Sequence, residues 1–290
     1  MTRYQKISIH AGFSCPNRDG RVGRGGCTYC NNQTFVPDYC QAQKSITQQL
    51  DEGVLFFRQK YPDQKYIAYF QSYTNTYAPL AQLKDMYEEA LRYPNVEGIA
   101  IGTRPDCVDD QLLDYLATLH QKTLLTVEYG VESTSDITLE RINRGHDYAC
   151  AVHAIQNTAA RGIPVVAHLI LGLPGEDRDL MLAHARRLSQ LPITGLKLHQ
   201  LQLVKGTRMA QEYELCPQDF RLFTASEYID LVIDFLELLR PSIHVERFVS
   251  QSPKQLLIAP DWGLKNYEFA NLLRKRIAER NTYQGRLFQD

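Results

Sequence analysis

Three of the chain's seven cysteines stand together in CPNRDGRVGRGGCTYC, residues 15–30. Cys27 and Cys30 are two residues apart, and eleven residues separate them from Cys15. Thiolates at CxxC spacing on a turn can share one metal centre. A closed zinc site asks for four ligands, usually two such pairs, and only one pair is present, though Cys40 could be recruited as a fourth ligand. An iron–sulfur cluster held by three cysteines instead leaves one iron open to a substrate or a second cofactor. Gly20, Gly23, Gly25 and Gly26 let the excursion between Cys15 and Cys27 fold tightly, with backbone N–H groups free to bond cluster sulfurs. The same stretch matches neither a P-loop nor a dinucleotide-binding fingerprint. On these residues alone zinc and iron–sulfur both stay open.

The rest of the chain must position that loop. Its 290 residues are 44% hydrophobic and 22% charged, an ordinary globular balance. The formal net charge of -1 gives no whole-protein pull toward nucleic acid or membrane, so such a partner would need a local patch. An odd number of cysteines suits thiols or metal ligands in a reducing compartment. The start, MTRYQKISIH, lacks an apolar signal region, and no apolar run is long enough to span a bilayer. A cytoplasmic protein without a membrane partner is expected.

Apolar strand-like runs recur: ISI (Ile7–Ile9), YIAYFQ (Tyr66–Gln71), GIAIGT (Gly98–Thr103), LLTVEYG (Leu124–Gly130), VVAHLILG (Val165–Gly172) and GLKLHQLQLV (Gly195–Val204). Helical patterns separate them, beginning with Ser45–Lys60, which opens on a Ser45–Gln48 capping box. Others start at Pro79 and at DQLLDYLATLH, helical segments run from Ser135 to about Gly162, which reads as a C-cap glycine, and a further helix is DLMLAHARRLSQL. This alternation predicts an α/β fold, a partial (βα)6 TIM-like barrel over residues 1–210. Residues 211–290 read as a C-terminal α+β extension: a Thr224–Glu227 capping box before EYIDLVIDFLELL, a strand HVERFV, a second capped helix at Ser252 and Gln255, and a basic helical tail. Barrels of this kind keep their chemistry at the C-terminal ends of the strands, where the cysteine loop follows strand one.

Other strand ends carry their own motifs. VEYGVES (Val127–Ser133) precedes INRG (Ile142–Gly145), HLILGLPGE spans His168–Glu176, FQSYTNTY spans Phe70–Tyr77, and IGTRPDC and LKLHQLQLVKGT follow the third strand and open the sixth. Together with CTYC, and in this order, they resemble the radical S-adenosylmethionine superfamily, in particular its YhcC-like subfamily, which is similar to the radical domain of the Elongator catalytic subunit. The superfamily usually has three residues between its first two cysteines, and this chain has eleven. It also departs at FQSYTNTY, where most members carry a GGE-like motif.

The resemblance implies a [4Fe–4S] cluster on Cys15, Cys27 and Cys30, with S-adenosylmethionine on the open iron. By the same token Tyr29 would flank adenine, Ile170 would pack on it, and His168 would sit near ribose or substrate. Glu132 would bond the ribose hydroxyls and Arg144 the methionine carboxylate, while Gln71, Ser72 and Asn75 are candidates for the amino group. Substrate contacts are expected from Gln71, Tyr73, His199, Gln202 and Lys205. The implied activity is radical hydrogen abstraction from an organic substrate, a modified tRNA nucleoside such as a wobble uridine side chain, with a small metabolite as the alternative. A zinc-stabilised binding module is the reading of a different class. Implied partners are an electron donor such as flavodoxin or ferredoxin, and tRNA through the basic tail Arg274, Lys275, Arg276, Arg280 and Arg286. Trp262, Tyr267 and Tyr283 lie near that tail as candidate stacking residues.

Overall fold

Helix starts are set by local chemistry. Asp109, Asp147 and Asp177 each accept the backbone N–H three residues on, satisfying a donor that the helix itself leaves open and contributing about 1 kcal/mol apiece. Ser45 and Gln48 cap reciprocally, at 3.0 and 3.1 Å, as do Thr224 and Glu227. The computed structural model describes residues 4–58 and 64–289. In chain order the strands are β1 (Tyr4–Ile9), β2 (Lys65–Phe70), β3 (Val96–Thr103), β4 (Leu124–Glu132), β5 (Val165–Leu171), β6 (Gly195–Gln200), β7 (Leu203–Val204), β8 (His244–Arg247) and β9 (Leu257–Ala259). The helices are α1 (Pro16–Asp19), α2 (Ile46–Arg58), α3 (Leu80–Arg92), α4 (Asp110–His120), α5 (Asp136–Arg141), α6 (Tyr148–Ala160), α7 (Arg178–Ser189), α8 (Arg208–Leu215), α9 (Ala225–Leu238) and α10 (Asn266–Glu279).

Seven strands form one sheet in the order β1-β2-β3-β4-β5-β6-β8, every neighbouring pair parallel. Side chains alternate between its faces. Ile7, Ile9, Phe70, Ile101, Val127, Tyr129, Ala167, Leu169 and Leu198 point to the helices and are buried. Lys6, Tyr69, Glu128, His168 and Lys197 point the other way and meet one another. That meeting requires curvature. Six strand spacings of roughly 4.8 Å would part β1 from β8 by about 29 Å in a flat sheet, yet Lys6 Nζ lies 3.0 Å from Glu246 on β8. The sheet is therefore a partial barrel with a polar lumen and an apolar outer face, an α/β architecture of the expected class.

The structure departs from the expected elements in three places. The C-terminal strand HVERFV joins the main sheet as β8, adding a seventh strand. The sixth strand ends at Gln200, and Leu203–Val204 turn away to pair antiparallel with β9. No helix forms at Ser252–Gln255: Pro253 accepts the Leu256 N–H in a turn, and the apolar Leu257–Ala259 are drawn into the pairing with β7 before Pro260. The helical segments expected between Ser135 and Gly162 are α5 and α6, separated by Ile142–Asp147. The expected end of the first long helix at Lys60 lies outside the described residues. Among those described, no helix is long and apolar enough to cross a membrane.

Candidate functional site

The cysteine loop leaves β1 and opens at Cys15, whose carbonyl accepts the N–H groups of Arg18 and Asp19 at 2.8 and 3.2 Å as Pro16 starts α1. The chain then doubles back, Val22 N–H bonding the Pro16 carbonyl at 2.8 Å and Gly26 N–H the Asn17 carbonyl at 2.8 Å. This compact excursion docks on the break between α5 and α6. Asn143 Nδ2 donates to the Gly26 carbonyl at 2.8 Å, Asn17 Nδ2 to the Asn143 carbonyl at 2.6 Å, and Thr28 N–H to the Ile142 carbonyl at 2.9 Å. Eleven residues between Cys15 and Cys27 thus build a bracket that ties the first βα connection to the fourth.

Cys15, Cys27 and Cys30 line one cavity of about 260 Å³ at the C-terminal ends of the strands. Donors converge on its sulfurs: Arg144 Nη1 and Asn17 Nδ2 lie 3.6 and 3.7 Å from Cys27 Sγ, and Asn32 Nδ2 lies 3.7 Å from Cys30 Sγ. Arg144 also donates to the Gly130 carbonyl at 2.5 Å and sits 3.8 Å from Glu132. Gly130 makes the space for it, since a Cβ there would come 2.6 Å from Arg144 Nη2. Glu132 follows a bulge in the β4–β5 register and holds φ at +67°, a left-handed conformation that costs about 1–3 kcal/mol in a non-glycine residue. The bulge aims its carboxylate at the cavity.

Below these groups the lumen is a charged network. Glu128, fully buried, accepts from Lys6 at 2.7 Å, Lys197 at 2.5 Å, Tyr69 Oη at 2.7 Å and His168 Nε2 at 2.9 Å. Burial alone would raise the Glu128 pKa, but Lys197, the His168 hydrogen bond and Lys6 outweigh it and hold the carboxyl well below the usual range. Burial lowers Lys197 to about 8 against the opposing pull of Glu128. His168 and His199 are both pushed down by burial, so both imidazoles are neutral near pH 7. They stack with ring centroids 5.5 Å apart.

Of the residues singled out from the sequence, Tyr29, Gln71, Glu132, Arg144, His168 and Ile170 line the cavity with the three cysteines, as do Tyr73, His199 and Gln202. Ser72, Asn75 and Lys205 are not brought to it. Asn75 is buried and donates to the Gly102 carbonyl at 2.8 Å, while its own carbonyl accepts from Tyr87: it ties the β2 and β3 ends together. Sequence reasoning passed over Glu128, Tyr69, Arg18 and Arg247, which also line the cavity. The available signal was the period of two: Glu128, Gly130 and Glu132 share a face, as do Lys197 and His199.

Cys40 sits in the apolar core, 3% exposed, with its thiol pushed up to about 12 by burial, and it does not line the cavity. Cys107, Cys150 and Cys216 do not line it either. In the basic tail, Arg276, Arg280 and Arg286 are engaged with Asp230, Asp234 and Glu237 of α9. Trp262 is a core residue, stacked on Phe269 with Nε1 bonded to the Phe223 carbonyl at 2.9 Å, whereas Tyr267 and Tyr283 are exposed.

A parallel partial barrel with three cysteines converging on a cavity at its strand ends defines a class of cofactor-dependent βα-barrel enzymes. Two family models match this chain, the Radical SAM superfamily over residues 18–188 and the Radical_SAM C-terminal domain over residues 193–279. The chain belongs to the radical S-adenosylmethionine superfamily of enzymes. It is 39% identical to Protein YhcC of Escherichia coli (strain K12) over 265 residues, 90% of this chain and 82% of that protein. Its fold is similar to that of an archaeal Elp3 from Methanocaldococcus infernus lacking its N-terminal 46 residues, with a TM-score of 0.74 and 14% identity, covering 98% of this chain and 65% of that one. A more distant relative is a tRNA uridine(34) acetyltransferase of Dehalococcoides mccartyi (strain CBDB1), 26% identical over 176 residues, 58% of this chain and 36% of that protein.

Proposed function

We propose that Cys15, Cys27 and Cys30 hold a [4Fe–4S] cluster whose open iron binds S-adenosylmethionine, and that the enzyme abstracts hydrogen from a modified tRNA nucleoside, a wobble uridine side chain. The observation that carries this reading is the convergence of the three thiols with Glu132 and Arg144 on one cavity. The donor set suits a cluster. Three cysteines line the cavity, the number that holds a cluster while leaving one iron open. Asn17, Asn32 and Arg144 supply the N–H donors that tune cluster sulfurs.

When bound, the two cofactors supply an electron and a 5′-deoxyadenosyl radical that takes hydrogen from the substrate. The protein's part is positioning. Arg144 offers a guanidinium fork suited to the methionine carboxylate, Glu132 a carboxylate that accepts two ribose hydroxyls, and Ile170 with Tyr29 apolar faces for adenine. His168, neutral and held by Glu128 through Nε2, keeps one orientation toward substrate. A dedicated electron donor such as flavodoxin or ferredoxin would reduce the cluster. A tRNA substrate is supported by the similarity to a tRNA uridine(34)-modifying enzyme. The basic tail adds little to that support, because most of its arginines are paired within the chain. Nucleoside mass spectrometry of tRNA from cells with and without the protein tests the substrate: a modified uridine should accumulate in its absence, and an unchanged profile would point to a small metabolite instead.

A further inference from the structure

Four arginines line the cavity, and the guanidiniums of three make hydrogen bonds within the protein, Arg144 keeping its buried Nε without a partner. Arg18 donates to the Cys30 carbonyl at 2.9 Å. Arg104 forms a fork with Asp106 at 2.8 and 2.7 Å and bonds the Arg144 carbonyl at 2.9 Å. Arg144 is held by Gly130 and Glu132. The guanidinium of Arg247, the last residue of β8, makes no hydrogen bond or ion pair among the described residues, although it lines the same cavity and is half-buried.

Lys6 and Lys197 pair with Glu128 and Glu246, whereas the Arg247 guanidinium has no carboxylate partner among the described residues. Arg247 pairs with Lys197 across β6 and β8, and His199 stands two residues further along β6 on the same face, so the Arg247 and His199 side chains line the same part of the cavity. His199 adds a second unsatisfied group. Its Nδ1 bonds Ser250 Oγ, and its Nε2 is buried without a partner. Assigning the serine hydroxyl as donor to Nδ1 places the imidazole proton on Nε2. A planar guanidinium fork beside an N–H donor is the arrangement that binds a carboxylate or phosphate.

We propose that Arg247 and His199 form an oxyanion site for a carboxylate or phosphodiester group of the substrate, on the β6–β8 side of the cavity. This rests on the reading of the cavity as the place where substrate meets S-adenosylmethionine. The probes are acetate and dimethyl phosphate, monoanions of the two chemistries. Each is titrated into the anaerobically reconstituted protein at chloride-matched ionic strength, with and without saturating S-adenosylmethionine, and binding is read from the shift in unfolding midpoint. The comparison uses wild type, Arg247→Gln, Arg247→Lys and the exposed control Lys122→Gln, which lies between α4 and β4 at the opposite end of the strands from the cavity.

A saturable rise is expected in wild type and the control, with apparent affinity at least tenfold weaker in Arg247→Gln and partly restored in Arg247→Lys. Tighter acetate binding assigns a carboxylate-bearing substituent, and tighter dimethyl phosphate binding a nucleic-acid backbone. Equal affinity in wild type and both Arg247 variants would overturn the proposal, as would the absence of saturable binding. Loss of anion binding when S-adenosylmethionine is added would also overturn it, because the pair would then serve the cofactor's own carboxylate. The titration needs no turnover, so failure of the radical reading shows separately, as absence of 5′-deoxyadenosine.

Discussion

Glu128 is the residue on which the lumen turns. It accepts from two lysines, a tyrosine and a histidine at no exposure to solvent, and removing one partner of such a buried network costs about 3–5 kcal/mol. Glu128→Gln should therefore unfold at markedly lower denaturant than wild type near pH 7. Because its folded pKa is held below the ordinary value of 4.5, the stability it contributes is complete above about pH 4.5 and is lost as pH falls through the folded value. The gap between wild type and Glu128→Gln should close below pH 4.5; a gap constant down to acid unfolding would contradict this account of the network. At the cofactor side, Arg144→Lys keeps the charge but loses the fork, and should raise the KM for S-adenosylmethionine about tenfold or more while leaving iron content unchanged. Legibility at this scale was uneven. Residues on strand-end motifs were visible because a motif fixes chemistry and place together. Glu128 and Arg247 were hidden, since one charge inside an otherwise apolar strand has no local signature until the neighbouring strands bring its partners.

At the scale of elements, the cysteine loop is a bracket rather than a spacer. Its hydrogen bonds to Ile142–Arg144 explain the eleven residues that its spacing left without a purpose. Gly145 closes the contact: its φ is +79°, and an added Cβ would meet Val22 at 2.9 Å. Gly145→Val should destabilise the fold by about 1–3 kcal/mol and should lower iron retention more than it lowers global stability, as read by iron assay after mild denaturant against the unfolding midpoint. Most elements could be read from capping chemistry and apolar runs. The misread ones, the split after Gln200 and the absent helix at Ser252, share a cause. Leu203–Val204 and Leu257–Ala259 pair across more than fifty residues, and such long-range pairing overrides local preference.

Over the whole molecule, the C-terminal elements are built into the barrel. β8 closes one side of the sheet, α9 packs on α7, and α10 packs on α9 with Arg276 paired to Asp230, while Arg280 and Arg286, just beyond α10, pair with Asp234 and Glu237 of α9. Leu231 on α9 is fully buried in the main core, so Leu231→Ala should cost about 2–5 kcal/mol, measurable as a drop in chemical denaturation midpoint. Sequence periodicity revealed the barrel class, because each βα unit repeats one pattern. It did not reveal that the last strand belongs to the same sheet, since that depends on curl and not on any local run.

The most direct test of the central claim is iron content and 5′-deoxyadenosine formation after anaerobic reconstitution, for wild type and for Cys15→Ala, Cys27→Ala, Cys30→Ala and Cys40→Ala. About four irons per chain and reductant-dependent 5′-deoxyadenosine are predicted for wild type and Cys40→Ala, with both lost in the other three. One zinc per chain that depends on Cys40, or undiminished cleavage in Cys27→Ala, would contradict it.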